Sequence, residues 1–426
     1  MAKIEVVLSS TPVDPNDIPG TVTPITNVTV DCIGTKDDGT QFTEQATSDG
    51  VTGLISLSGL GWTSSDGGGW SVMYQEVASK TVLGVQHHTV ISTEGAQVLF
   101  GWYGDSTTYA QPALHAGSPA SIVRDYLITQ NVVASNQSIY GNGNNNSLTE
   151  VTDYDSTVEL TGISVLNYDG IGGDLFICDN ASDSFKKSFT AIDKVSIGFA
   201  SKDYGVARYR VDAGAWTTID GNVGDPSDLV EAVITLPGLG DYTIEISHDS
   251  GGPIYFDYVK GYNTEDDVIM LPMGARGFTT SQFATSGTTG WKYLAGQNKS
   301  PVSVEMDALI INLGINDIIQ AVPEGTYTAN MVLILDSLAL NYPDLDLILV
   351  IPNDIDIGLG YLPSAITTLA STYSATLLDI RSTPNFADFT TADNAGLMAD
   401  LIHPNAAGYA SIYTALGPAI KTALGV

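Results

Sequence analysis

Apolar and polar positions change rhythm twice along the chain. Residues 1 to about 95 are rich in Thr, Ser, Val and Gly, with turn clusters at Asp37-Asp38-Gly39, Ser48-Asp49-Gly50 and Asp66-Gly67-Gly68-Gly69 and no helical period. Turn signals at that spacing predict a small β domain. The same texture returns between about 131 and 264, where Tyr242, Ile244 and Ile246 alternate with Thr243, Glu245 and Ser247 before Asp249-Ser250-Gly251-Gly252-Pro253 turns the chain. Alternation with period two is what a half-buried strand requires, so a second β domain, a sandwich, is expected there. From about 265 onward, apolar runs alternate with helical periods. Asp307 to Leu313 and Leu345 to Ile351 read as buried strands, and Ala329 to Asn341 reads as a helix with Met331, Leu335 and Leu338 on one face. A helix near Ser364 to Tyr373, a strand over Ala375 to Ile380 and helical stretches from Ala406 to Leu424 follow. Strands alternating with helices predict a parallel sheet covered by helices.

One strand of that sheet lies upstream of the second β region. Gln97 to Tyr103 is a strand-like run, and Ser118-Pro119 is a cap followed by a proline at the first helical position. The α/β domain is therefore discontinuous. The expected division is an amino-terminal β domain over 1–95, an α/β domain over 96–130 and 265–426, and an inserted β-sandwich over 131–264, entered through Gly141-Asn142-Gly143-Asn144-Asn145-Asn146.

Composition narrows the partners. With 16 Lys plus Arg against 48 Asp plus Glu, the formal charge is −32, yet only 15% of the 426 residues are charged and 43% are apolar. Such a chain is globular, and its field repels nucleic acid and anionic lipid. No uncharged apolar run reaches the roughly 18 residues a membrane span needs, so no membrane insertion is expected. Glu5 interrupts the opening apolar run before it reaches signal-peptide length. Action outside a cell is then expected by a non-classical route or on a virion. Cys32 and Cys178 read as buried thiols, not as a disulfide framework.

Four polar segments fall where strands of the sheet end. Gly104-Asp105-Ser106 follows the strand ending at Tyr103. Gly274-Ala275-Arg276-Gly277 follows the apolar run Val268 to Leu271, and Gly314-Ile315-Asn316-Asp317 follows Asp307 to Leu313. Near the carboxyl terminus, Asp400-Leu401-Ile402-His403 sets a carboxylate three residues before an imidazole, close enough to hold one ring nitrogen and leave the other free as a base. His87 and His88 lie in the amino-terminal β region, His115 has no acid at that spacing and His248 sits at a strand end, so these four read as structural. Open α/β sheets gather ligands and nucleophiles at the carboxyl edge of their strands. In this order the four segments fit an acyl-transfer site: a serine nucleophile, oxyanion donors from glycine and asparagine, then an acid and a base.

These motifs resemble the SGNH hydrolases, also called GDSL-like esterases or lipases, over about 96–130 and 265–426. The resemblance implies a flavodoxin-like three-layer α/β/α domain. It further implies that Ser106 attacks an ester carbonyl, that His403, oriented by Asp400, takes the Ser106 proton, and that the Ser106 N–H, the Gly277 N–H and the Asn316 side chain hold the oxyanion. Gly274 is the alternative to Gly277. Thr107 stands where the signature has leucine, and 277 − 106 = 171 residues separate the first two motifs, where the family usually has a few tens. The insertion that fills this gap resembles β-sandwich modules of carbohydrate esterases and phage tail proteins. Its Tyr154, Tyr168, Tyr204, Tyr209, Trp216, Tyr255, Phe256 and Tyr258 are candidates for stacking on sugars. The loop Asp220 to Asp228, with Glu231 beyond, carries oxygen ligands in a calcium-loop-like order, but Gly224 and Asp225 break the pattern and a solvated turn is expected. No metal or cofactor is implied.

The expected function is removal of O-acyl groups, O-acetyl above all, from a polysaccharide or glycan. Within enzymes, the alternative is a lipase, thioesterase or arylesterase on small acyl esters. Outside them it is a non-catalytic glycan-binding appendage of the phage-tail kind, with assembly partners in a virion or on a cell surface. An insertion that folds on its own is expected to leave hydrolysis of small esters intact when replaced by a short linker.

Overall fold

The computed structural model describes residues 98–140, 148–170, 173–200, 205–220, 229–284, 306–342 and 345–426, together with six short strands between residues 4 and 91. Two compact units divide the chain at Ala96 and Gln97. The first holds two antiparallel three-stranded sheets, β1 (Ile4–Val7), β2 (Thr29–Thr35) and β3 (Gln41–Thr47) in that order, and β4 (Leu54–Ser56), β5 (Ser71–Gln75) and β6 (His87–Ile91) likewise. The three turn clusters expected between its strands lie outside the described residues, as does the 141–146 loop.

The second unit is built on a parallel sheet of six strands: β7 (Val98–Gly104), β8 (Ala134–Ser135), β18 (Val268–Gly274), β19 (Ala308–Asn312), β20 (Asp346–Ile351) and β21 (Thr376–Asp379). Their order across the sheet is β21-β20-β19-β7-β18-β8. Setting aside the two-residue edge strand β8, this is the flavodoxin-like order, and its switch point falls at β7 between β18 and β19. The edge strand β8 lies inside the range expected for the insertion, so the sheet continues a few residues past 130.

Both faces of the sheet are covered, and the side chains show it. Along β19, Ala308 and Ile310 enter one core and Leu309 and Ile311 the other. The first core is closed by α1 (Pro119–Thr129), through Val123 and Leu127, and by α8 (Ala406–Ala423), through Tyr409, Ile412, Tyr413 and Ile420. The second is closed by α5 (Glu324–Asn341) and α6 (Leu362–Thr372). Met331, Leu335 and Leu338 sit in it as their helical spacing requires. Ser118 caps α1 by accepting from the Ser121 N–H at 3.2 Å, with Pro119 in the first turn.

Between β8 and β18 the chain builds a nine-stranded antiparallel sheet whose two longest strands, β13 (Ser184–Ala200) and β16 (Leu229–Gly251), pair with each other in two limbs. The first limb of β13 pairs with residues 242–247 of β16 and its second limb with 229–235, with register shifts between Phe189, Ile192 and Lys194. Such bulges let a strand change sheets at a corner. Phe185 on the first limb meets Phe256 of β17 (Ile254–Tyr262) edge to face at 5.2 Å, and β17 pairs with the second limb. Side chains of both limbs share one core, Phe185 and Phe189 from the first and Val195, Ile197 and Phe199 from the second, so the sheet is a β module with a core of its own. Cys178 is free in that core, and burial pushes its thiol pKa well up. Cys32 lies in β2.

Candidate active site

Three strands that end in one row bring the sequence motifs together. Gly104 closes β7 in register with Gly274 of β18 and Asn312 of β19. The loops carrying Ser106, Gly277 and Asn316 therefore leave the sheet side by side at the switch point. Gly274 itself is packing: a Cβ there would come within 2.5 Å of the Tyr109 nitrogen. Gly277 has φ +76°, which only glycine adopts readily, and a Cβ there would meet nothing within 4 Å.

Ser106 stands in a turn closed by the N–H groups of Thr108 and Tyr109 donating to the Asp105 carbonyl at 3.1 and 3.0 Å. Its hydroxyl is 2.8 Å from Nε2 of His403, and Nδ1 of the same ring is 2.9 Å from Asp400 Oδ2 and 3.1 Å from Oδ1. Ser106 and His403 are buried, whereas half of the Asp400 side chain is exposed. Asp400 Oδ1 also accepts the N–H groups of Ile402 and His403 at 2.8 and 2.7 Å. Burial alone raises the pKa of this carboxyl. The hydrogen bonds from the His403 N–H and ring and from the Ile402 N–H outweigh it and hold the group below the usual carboxylate range. Of the five sequence-predicted residues, these three form one hydrogen-bonded chain.

The other two belong to a second cluster. α4 (Ile315–Ile319) carries Asn316, whose Nδ2 donates to the Phe278 carbonyl at 2.9 Å, one residue beyond Gly277. Its neighbour Asp317 accepts the Thr280 N–H at 3.0 Å and the Thr280 hydroxyl at 2.6 Å at the start of α3 (Thr280–Ala284). The turn after β19 thus straps the loop after β18. Burial raises the Asp317 pKa.

Several supporting contacts had no sequence signal of their own. Thr107 donates its N–H and hydroxyl to Asp105 Oδ1 at 2.9 and 2.8 Å, and Asn312 Nδ2 donates to the Thr107 hydroxyl at 3.0 Å. All three are buried. Burial raises the Asp105 pKa to about 6 against the lowering effect of the Thr107 bonds. Asn353, just past β20, donates to the Ile402 carbonyl at 2.9 Å and so supports the His403 loop from below. From the insertion, α2 (Leu148–Tyr154) reaches the Ser106 turn, where Tyr154 stacks on Tyr109 at 4.1 Å.

Of the remaining candidates, His115 is packed edge-on against Tyr154 and His248 Nε2 lies 3.0 Å from the Gly252 carbonyl. His87 and His88 lie in β6. Phe256 and Tyr258 are core, Trp216 is covered by the guanidinium groups of Arg208 and Arg210, each 4.5 Å away, and Tyr204 lies outside the described residues. Residues 221–228 of the calcium-like loop also lie outside them. Among the described residues no group of three or more His, Cys, Asp and Glu converges as metal ligands, and no helix is long and apolar enough to cross a membrane.

Residues 238–411 match the sequence profile of the GDSL-like Lipase/Acylhydrolase family. The matched stretch, 411 − 238 + 1 = 174 of the 426 residues, is similar to an acylhydrolase domain of that family. The match includes Gly277, Asn316, Asp400 and His403 but not Ser106, which the insertion separates from them. A solved structure of a peptidoglycan O-acetylesterase is similar over 78% of this chain and 92% of its own, with 14% identity and a TM-score of 0.58. A family two carbohydrate esterase from Cellvibrio japonicus is matched over 68% of this chain and 98% of its own at 12% identity, but with a TM-score of 0.28. Only the first likeness is close enough to bear on the fold, and it agrees with the α/β/α domain described above. No curated protein matches the chain by sequence.

Proposed function

We propose that the protein removes O-acyl groups, O-acetyl in particular, from a glycan by a serine mechanism. The observation that carries the reading is the chain from Ser106 Oγ to His403 Nε2 and from His403 Nδ1 to Asp400. A neutral imidazole so held takes the Ser106 proton as Oγ attacks the ester carbonyl, and Asp400 fixes the tautomer and stabilises the imidazolium. The negative charge that develops on the carbonyl oxygen is met by the N–H groups of Ser106 and Gly277 and by the second hydrogen of the Asn316 amide, the first being engaged by Phe278. His403 then returns the proton to the leaving sugar oxygen. Water, deprotonated by the same imidazole, releases the acid and restores Ser106. Gly277 is preferred to Gly274 because its open, left-handed backbone faces no packing, while Gly274 is pressed under Tyr109.

The glycan part of the reading is supported by the extent of the structural likeness. The α/β segments make up less than half of the chain, so a similarity over 78% of it includes β-module residues as well. The test is acid release from O-acetylated peptidoglycan, acetylated xylan and a series of p-nitrophenyl esters. Acetate release from a glycan, with p-nitrophenyl acetate preferred over long-chain esters, is expected. Turnover confined to long-chain esters would favour a lipase instead.

A further inference from the structure

Glu150 and Tyr154 are four residues apart on α2 and so share one helix face. That face meets both loops of the site. Tyr154 stacks on Tyr109, whose N–H helps to close the Ser106 turn. The Glu150 carboxylate pairs with the Arg276 guanidinium. Arg276 Nε in turn donates to Gln111 Oε1 at 2.9 Å, and the Gln111 N–H donates to the Ser106 carbonyl at 2.9 Å. Arg276 is the residue immediately before Gly277. A helix belonging to the insertion therefore ties the nucleophile turn to the loop after β18.

We propose that Glu150 is a positioning residue for ester hydrolysis, acting through Arg276 to hold the Gly277 N–H where the oxyanion forms. The inference rests on the role given above to Gly277. Nothing would touch a side chain at Gly277 and its backbone is in the left-handed region, so the loop lacks packing at that point. The guanidinium one residue earlier supplies a tether. The pair is too exposed to do much for stability, with 40% of the Glu150 side chain and 18% of that of Arg276 accessible. A donor displaced by a fraction of an ångström nonetheless loses much of its effect on the transition state.

The test compares Glu150→Ala, Glu150→Gln and Glu150→Asp with the wild-type full chain on p-nitrophenyl acetate. Alanine and glutamine should lower kcat by about tenfold with KM within about twofold and Tm nearly unchanged, the mark of an interaction made in the transition state. Aspartate should recover part of the loss. Because both residues act by one route, Glu150→Ala should add nothing further on top of Arg276→Ala. Wild-type kcat in both the alanine and the glutamine variant, or full additivity with Arg276→Ala, would overturn the proposal. Ser106→Ala in the same assay separates the two levels. If it is inactive while the Glu150 variants are normal, only this inference fails; if it is active, the serine mechanism fails first.

Discussion

Asn312 at the end of β19 and Thr107 in the turn after β7 are 205 residues apart, and Asn312 Nδ2 donates to the Thr107 hydroxyl at 3.0 Å. That hydroxyl donates onward to Asp105, so Ser106 is flanked on both sides by residues of one buried network. Thr107→Val keeps the shape and removes the hydroxyl, leaving two buried polar groups short of a partner. A loss of about 1–3 kcal/mol in stability is expected, read from denaturant unfolding. Turnover should fall as well, because the turn that presents Ser106 is loosened.

Asp400 makes a different prediction. The hydrogen bonds from His403 and Ile402 hold its carboxyl below the usual carboxylate range, which favours the charged form. Asp400→Asn preserves the shape but favours the wrong imidazole tautomer, and kcat should fall by roughly 10²-fold or more. Steady-state kinetics of both proteins on p-nitrophenyl acetate check this: an unimpaired variant contradicts the assignment.

The pH dependence of stability has its own probe at His115, on the Ser106 side of the contact with α2. Burial, with Lys187 and Arg124 nearby, lowers its pKa from 6.5 to about 4 despite the opposing charge of Asp155. The folded state thus binds its proton less readily than the unfolded chain. The stability this group contributes is present above about pH 6.5 and is lost as the pH falls toward 4, by about 3 kcal/mol at most. His115→Phe, which keeps a ring against Tyr154, should flatten unfolding free energy over that interval. An unchanged slope would show that another group titrates there.

The sequence reading and the structure agree where local pattern decides the outcome. β7, β18, β19 and β20 are apolar runs that end in polar motifs, and a strand that ends in such a motif delivers it to the carboxyl edge whatever else the chain does. The place of Ser106 was legible for that reason, whereas Asp400 and His403 stand in a loop well past β21 and were legible only from their three-residue spacing. α1 was legible too, from Ser118 and Pro119. α5 begins earlier than the expected Ala329, at Glu324 after Pro323, and Tyr327 extends its buried face one turn back from Met331. The partners of the site were not legible. Glu150 is one acid among many in a Thr- and Asp-rich stretch, and nothing in its neighbours points to Arg276, 126 residues away. The Thr107–Asn312 and Asn353–Ile402 bonds likewise depend on which strands lie side by side. That order is a property of the whole sheet and leaves no period in the sequence. The contact of α2 with both loops also alters what removal of the insertion should do: small-ester turnover should fall along with glycan turnover, since Glu150 and Tyr154 leave with it.

The central claim is that Ser106 is the nucleophile, and a small alkyl fluorophosphonate tests it most directly. Incubated with the full-length protein and digested for mass spectrometry, it should leave a single adduct on the peptide containing Ser106. The adduct should be absent in Ser106→Ala and should form at least about 10²-fold more slowly in His403→Ala, with acetate release falling in step. An adduct on another residue, or a Ser106→Ala protein that keeps ester turnover within about tenfold of wild type, would contradict the account.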